Sequence, residues 1–443
     1  MVIRTNDIKA SVVRAKEAAI ALSATGTETK NGALNAMAAA LDKFRKKVNE
    51  ENAKDMASAE VMKKNNELTD AMVKRLKVND EKIDGMIAGI NDVIKLKDPV
   101  GETMSATELD DGLTLYQVRC PIGLIGVIFE SRPDVVPQIM ALCLKSGNAV
   151  VFKGGREASN TNRALFDILS EAAYKAGIPK HAFCLMETRE DVSAILGMHG
   201  HIDLLIPRGS NEFVSYIQSN TKIPVLGHSA GICHVYVDEH ADESKAIGVS
   251  LDSKIQYPAV CNAAETLLVN AKTAPSFLPK MIDAFVKNGV EVRGDRETMK
   301  IAGRNVIEAK ESDWDAEYND MIISIKVVGS LDEAIDFINR HGSKHTDSIV
   351  TENMGNALRF ANLVDSSSVL INASTRFSDG FRYGKGAEVG ISTNKVHSRG
   401  PVGMEGLLIY KYILVGNGHV VKDYAGKEGR KFKHRTSDKG FEL

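Results

Sequence analysis

Between residues 6 and 96 apolar positions recur at three- and four-residue spacing, as at Ala33, Met37, Ala40, Leu41 and Phe44. That period predicts amphipathic helices. Charged residues fill the other faces, and the pattern stops at the breaker cluster Asp98-Pro99-Val100-Gly101. The rhythm then changes. LTLYQVRC (113–120) and PIGLIGVIFE (121–130) read as strands. A helix pattern through MALCLKSG closes at Gly147, AVVFKGG follows as a buried strand, and SNTNRALFDILSEAAYKAG is a helix with Gly177 at its C-terminal end. HAFCLM and HIDLLIPRGS are two further strands.

After residue 230 the alternation repeats. ICHVYVD, ETLLVN, NDMIISIKVV, DSIVTE and SVLIN read as strands. Between them stand the helix patterns ADESKAIGVSLDSKIQ, SFLPKMIDAFVKNG, LDEAIDFINRHG and MGNALRFANLV. Such alternation means βαβ units on parallel sheets. The change from one unit to the next falls near Gly227-His228-Ser229-Ala230-Gly231.

A chain of 443 residues suggests two or three domains, with cores large enough to need no staples. A formal net charge of −2 gives no field for nucleic acid or an anionic membrane. The basic stretch Lys427, Arg430, Lys431, Lys433, His434, Arg435 reads as a solvated tail. The N-terminus has no apolar core of a secretory signal, and no run approaches the roughly 18 apolar residues of a membrane span. Five cysteines without a CxxC pair suit neither a zinc motif nor a disulfide framework, so a reducing cytoplasm and no metal are expected.

Four segments carry candidate chemistry. Cys261, in QYPAVCNAAETLLVN, lies on a loop between a helix and a strand, where reactive groups are held. Cys143, Cys184 and Cys233 lie inside apolar runs and Cys120 at a strand end, so these read as core. A thiolate needs nearby donors, and the Cys261 backbone N–H with the Asn262 amide are candidates for an oxyanion site. In VVFKGGREASN a strand runs into Lys153-Gly154-Gly155-Arg156, two cations with glycines at a strand's carboxyl end. That suits a phosphate or is a plain exposed turn, and no GxGxxG fingerprint accompanies it. In LLIPRGSNEFVSYI a helix pattern begins after Gly209 and Ser210, offering free N–H groups to a phosphate. The glycine-rich stretch 372–406 carries Ser374, Thr375 and Arg376, suited to carboxylate or phosphate oxygens. It also carries Lys395, His397 and Arg399, which face one way if the segment is extended.

YPAVCNAAETLLV, IPRGS, LCLKSGNAVVFKGG, NASTRFSDG and K-x-H-x-RGP-x-G-x-E-GL together resemble the γ-glutamyl phosphate reductase family, over about residues 10 to 415. The resemblance implies an aldehyde dehydrogenase-like α/β fold: two doubly wound parallel-sheet domains plus a small β oligomerisation element. On that reading residues 1–228 bind cofactor and include a 104–120 oligomerisation segment. Residues 229–395 carry the nucleophile, and 396–443 hold a return segment, an oligomerisation strand and the basic tail. The resemblance implies that Cys261 attacks γ-glutamyl phosphate, with Asn262 beside it, and that NADPH reduces the thioester to glutamate 5-semialdehyde on the route to proline. Ser374, Thr375, Arg376, Lys395, His397 and Arg399 are then the substrate-binding candidates. In the wider superfamily Lys153 matches a lysine that contacts the adenosine ribose, beside Gly154. Arg156 stands where many NAD-preferring relatives carry glutamate, which favours a 2′-phosphate. Glu317 matches the glutamate that holds the nicotinamide ribose, although the glycine and proline of that motif are lost. Gly209 and Ser210 complete the cofactor set.

VLGHSAG (225–231) stands where oxidising relatives carry E-L-G-G-K, without the glutamate that activates water. The superfamily's oxyanion asparagine has no match near FESRP. The family implies a homodimer or homotetramer in the cytoplasm, and a glutamate kinase as transient partner. An NAD(P)-dependent aldehyde or acyl-CoA dehydrogenase on the same fold is the alternative enzyme. A catalytically silent nucleotide-binding scaffold is the alternative from another class.

Overall fold

The computed structural model describes residues 8–186, 190–228 and 230–441. The chain divides into two compact units, one of Met1–Gly209, Tyr216–Val225 and Gly403–Leu443, the other of Ser210–Ser215 and Leu226–Val402.

The first unit opens with the helices Ile8–Ser23, Thr27–Lys43, Arg45–Lys64, Asp70–Leu76 and Asp80–Lys95, as the three-and-four spacing predicts. Thr69 and Asn79 cap the last two by accepting from Met72 N and Lys82 N, each contributing about 1 kcal/mol. An antiparallel hairpin follows, β1 (Thr103–Asp110) and β2 (Leu113–Pro121). Then come the parallel strands β3 (Leu124–Phe129), β4 (Ala149–Gly154), β5 (Phe183–Met186) and β6 (Leu204–Arg208), in spatial order β5-β4-β3-β6. The order reverses between β3 and β6, which is where open α/β sheets bind ligands at the carboxyl ends. Helix Ser159–Lys175 has no side-chain cap of its own. Asp55 supplies one from afar, accepting from Asn160 N and Nδ2 and from Thr161 N and Oγ1.

The C-terminal segment returns to this unit and flanks the hairpin. Strand β16 (Leu408–Val415) pairs with β2, and β17 (Arg435–Ser437) pairs with β1. The basic stretch is solvent-exposed at Lys427, Arg430, Lys431, His434 and Arg435, yet it is anchored to the hairpin. Lys433 bonds Asp111 and lies 3.5 Å from Glu108, and Phe432 stacks on Tyr424 at 4.5 Å. The acidic hairpin turn recruits these cations, and β17 covers an edge that would otherwise expose unpaired backbone.

The second unit is a parallel sheet of β7 (Cys233–Val237), β8 (Ala264–Asn270), β9 (Glu291–Gly294), β10 (Ile307–Glu308), β11 (Ile322–Val328), β12 (Thr346–Val350) and β13 (Ser368–Ile371). Its spatial order is β10-β9-β11-β8-β7-β12-β13. Alternate residues feed two cores. Val235, Val237, Leu267 and Val269 pack with Phe277, Met281 and Phe285, while Tyr236 and Leu268 pack with Trp314, Phe337 and Phe360. That two-sided burial is why these strands read as near-continuous apolar runs. A small hairpin, β14 (Gly390–Ser392) with β15 (Gly400–Val402), completes the unit. β15 pairs within the second unit, and the residues from Gly403 onward group with the first.

Candidate active site

Cys261 lies in a turn closed by Ala263 N donating to Val260 O at 3.0 Å. That hydrogen bond spends the N–H of Ala263 and leaves those of Cys261 and Asn262 outside it. The turn immediately precedes β8. The register of β7, β8 and β12 decides what stands beside it. Cys233 pairs with Ala264, and His234 pairs with Asp347. The residues that lead into these three neighbouring strands therefore form one row along the amino edge of the sheet. His345 enters the row from β12, and Cys233 from β7.

His345 Nε2 lies 3.1 Å from Cys261 Sγ. Its Nδ1 lies 2.8 Å from Thr346 Oγ1 and 3.6 Å from Cys233 Sγ. The ring is wholly buried and oriented by that threonine. His228 completes the group: its ring meets that of His345 edge-on at 5.0 Å, and its Nδ1 lies 2.9 Å from Ile391 O. Cys233 donates to the Cys261 carbonyl at 3.2 Å, and burial pushes its thiol well above the ordinary range. Of the two sulfurs, only Cys261 is half-exposed. Gly231 makes this row possible. A Cβ there would fall 2.4 Å from Cys261 O and 2.5 Å from Cys261 Cα, so a side chain would push the turn away.

Asn262 ties the turn to a neighbouring segment. Its amide donates to Ser378 O at 2.8 Å and is buried. It pins the Cys261 turn to residues 374–378. Ser374, Thr375 and Arg376 lie in that same segment. Ser374 and the Thr375 N–H both bond Ser253 Oγ, and Arg376 Nε donates to Gln256 Oε1 at 2.8 Å. The Arg376 guanidinium is depressed chiefly by burial, then by the neighbouring Arg382, against the pull of Asp379 and Cys261. Thr375 Oγ1 is buried without a partner among the described residues.

Lys395, His397 and Arg399 do not lie along an extended strand, because residues 394–397 bend. Lys395 and Arg399 instead converge on Asp365, at 2.8 and 3.0 Å, with Lys344 at 3.6 Å. Three cations share one carboxylate, which Lys395 first and Arg399 next hold below its ordinary range. Lys344 is the residue before His345, so this surplus of positive charge belongs to the same edge.

Behind the turn lies a buried ion pair. Lys254 Nζ meets Glu265 Oε2 at 2.6 Å, both essentially unexposed. Burial pushes Glu265 up to about 7 and Lys254 down, with each partner opposing the other's shift. Glu265 also accepts from Asn319 N at 3.3 Å, which fixes the loop carrying Glu317. Glu317 in turn accepts from Asn211 at 2.5 Å. Lys254→Met is expected to cost about 3–5 kcal/mol, since it strands a buried carboxylate. Adding Glu265→Leu should restore most of that loss. Urea unfolding of the parent and the two variants checks both, and a single-variant loss below about 1 kcal/mol would contradict it.

In the first unit, Lys153 and Gly154 end β4. Lys153 is buried, with Nζ turned onto Gly154 O at 2.5 Å. Arg156 is mostly exposed and pairs with Glu67. Glu157 accepts from Ser131 N and Oγ at 2.6 and 3.0 Å, holding the turn after β3 at a positive φ of 49°. Gly209 follows β6, and Ser210 caps the helix Asn211–Ser219 by accepting from Phe213 N.

The aldehyde dehydrogenase family model matches residues 3–302. A γ-glutamyl phosphate reductase of Methanosarcina mazei is 62% identical over 442 residues, 99% of each chain. One of Acetivibrio thermocellus is 54% identical, covering 97% of this chain and 98% of the relative. The crystal structure of the Thermotoga maritima γ-glutamyl phosphate reductase superposes with a TM-score of 0.90 at 41% identity, covering 94% of this chain and all of the other. An acetylating aldehyde dehydrogenase of Geobacillus thermoglucosidasius, 17% identical with a TM-score of 0.63 over 94% of this chain and 97% of that one, shares the fold. The chain belongs to the γ-glutamyl phosphate reductases, oxidoreductases of the aldehyde dehydrogenase family.

Proposed function

We propose that this chain reduces γ-glutamyl phosphate to glutamate 5-semialdehyde and phosphate, the second step of proline biosynthesis, through a thioester on Cys261. The observation that carries the reading is the 3.1 Å approach of His345 Nε2 to a half-exposed Cys261 Sγ. His345 takes the thiol proton, with Nδ1–H donating to Thr346 Oγ1. The sulfur then bonds the acyl carbon, and the bond to the phosphate oxygen breaks with its electron pair leaving on phosphate. The Cys261 and Asn262 N–H groups are the donors for the carbonyl oxygen as it gains charge. The cations gathered on Asp365 favour the phosphate end, and buried Arg376 favours a carboxylate. His345 returns its proton to sulfur as the semialdehyde departs. No glutamate stands in VLGHSAG to activate water, which protects the thioester.

Family membership implies a nicotinamide cofactor, which supplies the hydride when bound. Within the first unit, Lys153, Gly154 and Arg156 at the carboxyl end of β4 and Gly209 after β6 are the residues proposed to hold it. The finer choice is NADPH. The Arg156–Glu67 pair is a surface pair worth at most about 1 kcal/mol, so a 2′-phosphate displaces it readily. Arg156→Glu is expected to raise KM for NADPH about 10- to 100-fold, the worth of one charged hydrogen bond, while NADH kinetics change little. Equal loss with both cofactors would contradict a 2′-phosphate contact.

The reaction is tested in the forward direction. Glutamate, ATP and a glutamate kinase generate the acyl phosphate in situ, and NADPH consumption is followed with pyrroline-5-carboxylate formation. Consumption that requires all three components is the expected result. Activity with an acyl-CoA or simple aldehyde, and none with the kinase mixture, would overturn the reading.

All five cysteines are free thiols, which suits a reducing cytoplasm. Among the described residues no helix is long and apolar enough to cross a membrane. β16 is a sheet edge with Ile409, Tyr410, Tyr412, Leu414 and Val415 exposed, and a second copy is its occupant in a homodimer or homotetramer. Light scattering should give two or four chains, and the mass of one chain would count against it.

A further inference from the structure

We propose that His228, Cys261 and His345 form a three-ligand site for a thiophilic divalent cation, Zn2+ in the first instance. Its occupancy reversibly silences the thiol. The sequence shows no metal spacing, because the three residues come from three separate segments and meet only through strand register. In the folded chain their donor atoms all lie within 4.8 Å of one another. A tetrahedral zinc ion, with bonds of about 2.3 Å to sulfur and about 2.0–2.1 Å to nitrogen, sets its ligand atoms about 3.3–3.6 Å apart. The 3.1 Å separation of His345 Nε2 and Cys261 Sγ is already near that spacing, and the 4.8 Å bound leaves His228 at most about 1.5 Å to close.

The outer contacts of both imidazoles are those of metal ligands. His228 Nδ1 sits on the Ile391 carbonyl at 2.9 Å. A carbonyl only accepts, so Nδ1 carries the proton and the lone pair belongs to Nε2. His345 Nδ1 is held by Thr346 Oγ1 at 2.8 Å, which directs Nε2 at the sulfur. Ligating histidines are oriented in this way through their second nitrogen, and removing such support typically costs 10- to 100-fold in metal affinity. The two rings lie edge-on at 75° rather than stacked.

The donor set chooses the ion. One thiolate and two imidazoles suit zinc-class cations and disfavour magnesium or calcium, which require oxygen ligands. Three protein ligands leave a fourth position for water. Binding exchanges the thiol proton for the cation, the proton passes to solvent, and nothing is oxidised or reduced. The ion then holds the same sulfur lone pair that would attack an acyl carbon, and it also occupies His345 Nε2. Binding stands on the geometry alone; only the loss of turnover rests on the reductase reading.

The test uses the full-length protein, stripped with a chelator, kept reduced with a phosphine and desalted. Zn2+ is titrated in competition with a chromogenic chelator. Co2+ serves as a spectroscopic probe, since a thiolate ligand gives a sulfur-to-cobalt charge-transfer band. The expected result is one Zn2+ per chain, with affinity falling at least about tenfold in His228→Gln and further in Cys261→Ser. The cobalt band is expected in the parent and absent from Cys261→Ser. Zinc should abolish turnover in the parent, and EDTA should restore it. No retention of zinc at one equivalent would overturn the proposal. So would equal retention by the parent and both variants, because the ion would then sit elsewhere. Neither binding readout depends on turnover, so failure of the reductase assay leaves this test intact.

Discussion

Replacing Cys261 by serine is expected to lower turnover by at least about 10⁴-fold while leaving the fold and nucleotide binding nearly intact. A serine hydroxyl is a weak nucleophile without deep activation, and removal of a covalent nucleophile elsewhere costs up to about 10⁶ in rate. The substitution is nearly isosteric at a half-exposed turn, so stability should change by less than about 1 kcal/mol. The decisive pair of readouts is steady-state turnover and cofactor affinity, the latter followed through the single tryptophan, Trp314. Turnover like that of the parent would remove Cys261 from the mechanism. Loss of both properties together would mean that the turn is needed for folding.

His345→Asn is expected to lower turnover about 10²- to 10⁴-fold at neutral pH, the usual worth of a positioned proton acceptor. The loss should shrink as pH rises, because hydroxide then does what the imidazole no longer does. Alkylation of Cys261 by iodoacetamide at neutral pH should slow in the same variant. A merely structural histidine would lower turnover equally at all pH values and leave alkylation unchanged. His345→Gln, which also cannot accept a proton at this position, should behave like the asparagine variant.

The strand–helix alternation was readable because the interior strands of the second unit are buried on both faces and bounded by clear helix periods. What escaped was short or charged. β9 and β10 are four and two residues long, at the sheet edge, and the helix Arg296–Ala302 between them is mostly polar. β17 was hidden by its own cations, whose partners, Glu108 and Asp111, lie more than 300 residues earlier. The same holds for the site. Cys261 stands on a loop between a helix and an apolar strand, and that local contrast is visible in one dimension. His345 stands in GSKHTDSIV, where nothing local marks it. Its meeting with a sulfur 84 residues away is set by the register of β12, β7 and β8. A histidine immediately before a buried strand that neighbours the nucleophile's strand is the signal that would have found it. The alternation Lys395, His397, Arg399 left its own condition open. Spacing put the three on one side only if the segment were extended, but one carboxylate, Asp365, draws Lys395 and Arg399 together across a bend.

The central claim is acyl-phosphate chemistry at Cys261, and the reverse reaction tests it most directly. Purified protein is mixed with pyrroline-5-carboxylate, in equilibrium with glutamate semialdehyde, and NADP⁺, and NADPH is followed with and without inorganic phosphate. NADPH formation that requires phosphate, and that disappears in Cys261→Ser, is the predicted result. Formation that proceeds equally well without phosphate would mean that water resolves the thioester, and the reductase account would be contradicted.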